Sequence, residues 1–600
     1  MCLGMACDCL AEDVQVTTRL GIVRGRRVST EPSGSVDMFL GIPYAQPPVG
    51  SHRFQRPRQS RAWAGVRDVT SFGAACPQLP APPPCWHLRA EEDCLNLNVY
   101  SPTVREGKSS LLPVMVWIHG GGYRLGSGAY SSGIPLASRG VVVVTLNYRM
   151  DALGFLSTED DACPGNFGLL DQIMALQWVR DNIDSFHGNP NQVTIFGSSA
   201  GGASVSLLRL SPLAAGLFNT TIIQSGVSLS PWAVGQALDP VPPAQWARRL
   251  AQKVGCTRDR SQALLTCLQP CQWTTSSTPA PSWQKRRSNY IQTRGENIFG
   301  VVPDRPVQLL RNGVANDAIS VRGFTRDEYS SFMLDSSLLD FSRRRIEEFV
   351  RQLAQRSFPR DPDTAASAII NHYISQAKSA EQLREADRGY SSTNGAILVN
   401  TVTPFQALTD FYIVAPTMIE SQAVAKLSGK GRVYLYQFSY RATHYSVPSW
   451  AGIPHGSDLP FIFGTPLHME EEQCGFRFNW TSSDVAVSSN VMSLWTNIAK
   501  YGNPTPTPLN GTRWTPYDLQ GQEYLDIGTS LTLKARLKED LIQFWTNLFH
   551  RHGYLDPHPS PVNSSNKLFL PAAVTVLSGW SVLAIIKSNF RLHVLFFLWQ

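Results

Sequence analysis

A chain of 600 residues with 43% hydrophobic and 16% charged residues has the composition of a large folded protein and excludes a disordered or fibrous one. Its formal charge of +7 is scattered, with only short basic clusters such as Arg343 to Arg345, which argues against nucleic-acid binding. Eleven cysteines, together with Asn-x-Ser/Thr sites at Asn219, Asn479, Asn510 and Asn563, point to an oxidising, glycosylating route.

Met1 to Leu10 is apolar and cysteine-rich but short and without a basic start, so no clear signal peptide is legible, and fold-like sequence begins near Val14. Pro113 to His119 and Gly140 to Leu146 are apolar, β-branched runs that predict fully buried strands. Apolar residues at helical spacing predict a helix over Gly168 to Asp181, followed by a strand at Val193 to Phe196 and a helix opening at Ala203 to Leu210. Further strands are predicted at Ile319 to Gly323 and Val433 to Phe438, and helices at Arg343 to Gln355 and Asp484 to Tyr501. Strands alternating with helices predict an α/β fold with a large, mostly parallel sheet covered on both faces. With no internal repeat and no linker before about residue 556, one large domain over 14–556 is expected, after an N-terminal segment 1–13.

A proline- and serine-rich linker, 557–567, precedes an uncharged run from Leu568 to Ile586 of about 19 residues, enough to span a hydrocarbon core. Lys587 and Arg591 follow it, which suits a single-pass anchor with a short cytosolic end. The small residues Asn563 to Ser565 before an apolar tail also suit a lipid-anchor signal, so 568–600 is read as a membrane anchor or such a signal.

The stretch Thr194 to Ala203, TIFGSSAGGA, places Ser199 in a Gly-x-Ser-x-Gly turn between a strand and a helix. A serine nucleophile must project clear of its backbone, and Gly197 and Gly201 supply the missing side chains that so sharp a turn requires. The motif alone is weak, but its flanking strand and helix are the context it needs. In WIHGGGY, Trp117 to Tyr123, glycines follow a buried strand, and the N–H groups of Gly121 and Gly122 could approach a substrate oxygen, with Ala200 N–H completing an oxyanion hole.

At this point the chain resembles the type-B carboxylesterases, the cholinesterase and carboxylesterase group with an α/β-hydrolase fold. The matching stretches include FLGIPYAQPPVG (Phe39 to Gly50), EDCLNLNVYSP (Glu92 to Pro102), LNYRMDALGFLS (Leu146 to Ser157), PGNFGLLDQ (Pro164 to Gln172), Ala175 to Ser204 and AGIPHGSDLPFIFG (Ala451 to Gly464). The resemblance covers about residues 14 to 550 and implies a Ser199, Glu328, His455 triad in the order of this fold. Asp327 competes with Glu328 for the acid, whereas His119, His187 and His444 fall outside the motif of the base. It also implies disulfides Cys76 with Cys94 and Cys256 with Cys267, leaving the other seven cysteines unassigned.

What the resemblance implies first is a serine ester hydrolase, extracellular and membrane-anchored or secreted. His455 would take the Ser199 proton during attack on an ester, Glu328 would orient the imidazole, and no metal or organic cofactor is required. Trp232, in SPWA, matches an acyl-pocket segment, and Trp86 is comparable with a choline-stacking tryptophan or is a packing residue. Ser198 departs from the family, which usually carries glutamate before the nucleophile and in cholinesterases uses it to hold the cationic choline group. The alternative is an adhesion or receptor-binding protein on the same fold, as in the neuroligin-like relatives, which typically lack the nucleophile. The expected partners are a small ester substrate and a membrane, and a homodimer is compatible with either reading.

Overall fold

The computed structural model describes residues 12–30, 34–78, 89–103, 110–234, 241–271, 301–316, 318–333, 343–358, 360–375, 404–427, 432–442, 451–467 and 479–555. The predicted anchor 568–586, Trp86, His444, Asn563 and Cys2, Cys7, Cys9, Cys85 and Cys474 lie outside them.

The frame is a single mixed sheet of 13 strands. The N-terminal half contributes β1 (Asp13–Thr18), β2 (Gly21–Ser29), β3 (Ser35–Pro43), β4 (Val66–Asp68), β5 (Asn96–Pro102), β6 (Leu112–Ile118), β7 (Val142–Leu146) and β8 (Gly188–Ser198). The remainder comprises β9 (Thr220–Gln224), β10 (Ile319–Thr325), β11 (Val433–Phe438), β12 (Glu523–Ile527) and β13 (Leu531–Ala535). Their spatial order is β1-β2-β3-β5-β7-β6-β8-β9-β10-β11-β12-β13, with β4 beside β2. From β7 to β12 every pairing is parallel; β1, β2, β3 and β5 at one edge and β13 at the other pair antiparallel, and β4 pairs parallel with β2.

Composition accounts for that division. β7 (VVVTL), β9 (TTIIQ) and β11 (VYLYQF) are buried at every position, as strands covered on both faces must be. β1 alternates exposed and partly covered residues, which suits an edge. The period of two sorts side chains between two cores: Val114, Val116 and Ile118 of β6 join one, while Met115 and Trp117 join the other.

Helices cover both faces. α1 (Phe167–Asn182) and α2 (Ala200–Arg209) pack on one side with α3 (Arg343–Ser357) and α4 (Ala415–Lys426). α5 (Ser482–Tyr501) covers the other, placing Val487, Val491, Trp495 and Ile498 in the second core. Its ends are fixed locally: Thr481 and Asp484 form a reciprocal capping box, and Gly502 closes the helix in the left-handed region at φ 61. α6 (Glu539–Arg551) buries Ile542, Trp545, Leu548 and Phe549 against the first core. This is the α/β-hydrolase architecture.

The chain order reverses around β6, whose neighbours are β7 and β8. In such sheets the crevice opens at the carboxyl ends of the strands where connections diverge.

Candidate functional site

Three strand ends build the crevice. β6 and β8 run in register with Ile118 beside Gly197, so the glycine loop after β6 lies next to the turn after β8. That turn holds Ser199 at φ 58 and ψ −122, an unusual conformation for a residue with a side chain, and it is stabilised by Ser199 N–H donating to the Gln224 carbonyl at 2.9 Å. Helix α2 starts at the next residue. Its close approach to β6 depends on Gly201, where a Cβ would lie 2.0 Å from the Ile118 carbonyl oxygen.

In the neighbouring loop Gly121 adopts φ 104, and a Cβ there would sit 2.1 Å from the Leu125 carbonyl oxygen. Gly122 follows at φ 61 with open space around it. The N–H groups of Gly121, Gly122 and Ala200 find no hydrogen-bond acceptor among the described residues.

Beyond β10, a 3-10 turn at Glu328–Met333 carries the acid. Glu328 is completely buried, accepts a hydrogen bond from Thr325 N–H at 2.7 Å through Oε1, and pairs through Oε2 with Nδ1 of His455. Backbone pairing reinforces the contact, because His455 N–H donates to the Glu328 carbonyl at 3.1 Å. Burial opposes the charged imidazole, but the charge and hydrogen bond of Glu328 outweigh it and raise the His455 pKa above its ordinary value. Asp327 instead accepts from Ile453 N–H and Arg326, each at 2.9 Å, and so supports the loop that leads to His455.

The nucleophile end of this constellation is different. Among the described residues the Ser199 hydroxyl makes no hydrogen bond, to His455 or to any other group. A base activates a hydroxyl through that bond. Ser198, beside it, is fully buried, and its hydroxyl has no partner among the described residues. This chain therefore presents a short side chain there, its hydroxyl unsatisfied among the described residues.

Trp232 packs over this turn. Its ring lies 2.7 Å from where a Cβ on Gly226 would be, that same Cβ would lie 2.4 Å from the Ser199 carbonyl oxygen, and its Nε1 donates to the Tyr412 carbonyl at 3.2 Å. His119 is buried away from the base: it stacks on Tyr148 at 4.4 Å, and burial pushes its pKa down to about 4 against the opposing Gly120 carbonyl. His187 is an exposed residue at φ 62.

One residue of the cluster was missed by the sequence reading. Asp458 is buried, accepts from Gln224 Nε2 and Tyr436 hydroxyl at 3.3 Å each, and has its other carboxylate oxygen unpartnered among the described residues. Burial and the charge of Glu328 push its pKa up to about 6, against the opposing charge of His455. Its signal was its place three residues after His455 in IPHGSD.

Cys76 is bonded to Cys94 and Cys256 to Cys267, while Cys163 and Cys271 are free thiols. Asn219, Asn479 and Asn510 are exposed. Asn219 donates to the Asn191 carbonyl at 2.7 Å and Asn510 to Asn490 at 2.9 Å. No described helix is long and apolar enough to cross a membrane.

Comparison with known proteins now bears on the chemistry. The sequence profile of the carboxylesterase family matches residues 12–545. Neuroligin-2 of Mus musculus is 35% identical over 603 residues, covering 90% of this chain and 68% of the relative. Neuroligin-2 of Homo sapiens is 35% identical over 604 residues with the same coverage. Neuroligin-3 of Mus musculus is 33% identical over 597 residues, covering 89% and 68%.

These relatives overturn the expectation of ester hydrolysis. They belong to the adhesion branch of the fold, so the Ser199, Glu328, His455 set does not mark this chain as an enzyme. Kinship also places the chain at the extracellular face of the plasma membrane, anchored or secreted. By its profile, its sheet and its relatives, the chain belongs to the carboxylesterase family.

Proposed function

We propose that this chain is a non-hydrolytic adhesion or receptor-binding protein that uses the α/β-hydrolase fold as a rigid extracellular platform. The observation that carries the reading is similarity to neuroligins along 90% of the chain. Among the described residues, the lack of a hydrogen bond between the Ser199 hydroxyl and His455 and the buried Ser198 hydroxyl without a partner agree with it. In this reading one domain spans 14–556, the run from Leu568 to Ile586 attaches it to the membrane, and exposed Asn219, Asn479 and Asn510 carry glycans. The working form is a homodimer, and the buried Glu328–His455 pair has a structural role, holding the loop of residues 451–455 against the end of β10.

Cell aggregation tests the proposal. Suspension cells displaying the full chain should aggregate with cells that display its receptor, and Ser199→Ala should aggregate equally well. Loss of aggregation on that single change would count against a non-catalytic role.

A further inference from the structure

The N-terminal ribbon carries an unbalanced charge. Between residues 12 and 72 every lysine-or-arginine position is arginine. A strap over residues 56–68 crosses the ribbon's end: Gln46 N–H donates to the Arg58 carbonyl at 2.8 Å, Ser60 N–H to the Tyr44 carbonyl at 3.4 Å, and Trp63 N–H to the Leu20 carbonyl at 2.8 Å. Trp63 Nε1 then donates to the Ile22 carbonyl at 3.0 Å, and β4 pairs with β2, with Val66 beside Ile22. Arg58, Arg61 and Arg67 are exposed along this strap, and Arg19 is exposed next to Leu20, where the strap crosses.

Four of the acids nearby are already engaged, and Asp93 lies beside Arg67. Asp68 and Asp13 both face Arg24. Hydrogen bonds from Thr70, then from Arg24, hold the Asp68 carboxyl down at about 2. Glu12 and Asp37 pair with Arg27. Among the described residues, Arg19, Arg58, Arg61 and Arg67 make no ion pair. Arg67 exerts its charge on Asp93 and stacks at 4.7 Å on the half-buried Trp63. Exposed Val66 adjoins it in sequence.

We infer that the strap and the β1–β2 turn form a docking surface for a carboxylate-rich segment of a partner protein. A guanidinium presents a planar fork that binds carboxylate in two places, which an ammonium cannot do. Arginine with aromatic and aliphatic side chains, and without lysine, is the composition of a protein interface. Trp63 and Val66, interleaved with these arginines, therefore favour an acidic polypeptide over a sulfated polysaccharide. The inference rests on the adhesion reading only in placing the partner on a facing surface, because binding by the purified chain is measured without cells.

The test uses full chain in detergent flowed over immobilised poly-L-glutamate and, separately, heparin, over a range of salt concentrations. The wild type should bind poly-L-glutamate with an affinity that falls as salt rises. Arg58→Gln/Arg61→Gln/Arg67→Gln should weaken it at least tenfold, while Arg351→Gln/Arg356→Gln, on α3, should leave it unchanged. Equal binding by the strap variant, or an equal loss in the α3 control, overturns the inference. Binding to heparin but not to poly-L-glutamate overturns it in favour of a sulfated glycan. Exposed Arg→Gln changes cost little stability, and Arg61→Gln alone serves should the triple variant be poorly secreted, with a reduced but measurable loss expected.

Discussion

Removing Arg322 tests how the strand that delivers Glu328 is held. Arg322 on β10 and Glu420 on α4 are both buried, and their ion pair is 2.7 Å long. Glu420 also accepts from the hydroxyls of Ser206 and Ser228, the latter at 2.6 Å, and from Leu229 N–H at 3.1 Å. Burial opposes its ionisation, but Arg322 and the two serines outweigh burial and hold its pKa below the ordinary value. Arg322→Met leaves a buried carboxylate without its cation, a change that costs about 3–5 kcal/mol. Three remaining hydrogen bonds place the expected loss near the lower end, roughly 3 kcal/mol, or a fall in Tm of about 6 °C for a large domain. Thermal unfolding followed by tryptophan fluorescence reads it, with the half-life at one temperature as a second measure because a disulfide-bonded protein of this size commonly unfolds irreversibly. The pH response has a definite sign. A lowered folded pKa contributes stability above the unfolded value of about 4 and loses it as pH falls through the folded one. In Arg322→Met burial prevails, so that variant should gain stability on acidification from pH 7 to 5, relative to wild type. Arg322→Met/Glu420→Gln should recover at least half of the loss. A single-variant cost below about 1 kcal/mol would refute the reasoning.

Other consequences follow from the same structure. Asp458, with a folded pKa of about 6 above an unfolded value of about 4, contributes stability that is full below pH 4 and lost as pH rises through 6. Asp458→Asn should therefore flatten the stability profile between pH 4 and 6 in a set of urea melts, and an unchanged profile would argue against a buried, titrating carboxylate. Gly201→Ala drives a methyl group against the Ile118 carbonyl and should cost at least 1–3 kcal/mol, whereas Gly122→Ala, with open space but a left-handed backbone, should cost about 1 kcal/mol. Equal melting temperatures for the two variants would contradict the packing described at the turn. Cys76→Ser/Cys94→Ser opens a loop with a sequence separation of 18 and should cost about 3 kcal/mol, read as a shift of the denaturation midpoint.

The sequence revealed most where burial was complete. The continuous apolar runs predicted β6, β7 and β11, with Val433–Phe438 placed at its observed limits, and the alternation with helices α1 and α2 led to the parallel centre. The outer strands β1 and β2 were not legible, because they mix exposed and covered positions and lack a continuous hydrophobic signal. Glu328 and His455 were legible only through their motifs. Nothing in their 127-residue separation signals contact, and the pairing arises from residues 453–455 bonding back to Asp327 and Glu328 after β10. That the Ser199 hydroxyl makes no hydrogen bond among the described residues was invisible to sequence, since residue identity does not report whether a hydroxyl meets its base.

The central claim concerns what the Ser199 turn does not do. The most direct test compares purified, glycosylated wild type with Ser199→Ala for hydrolysis of acetylthiocholine and of a neutral aryl acetate. The account predicts the same background rate for both proteins. Turnover by the wild type that disappears in Ser199→Ala would contradict it.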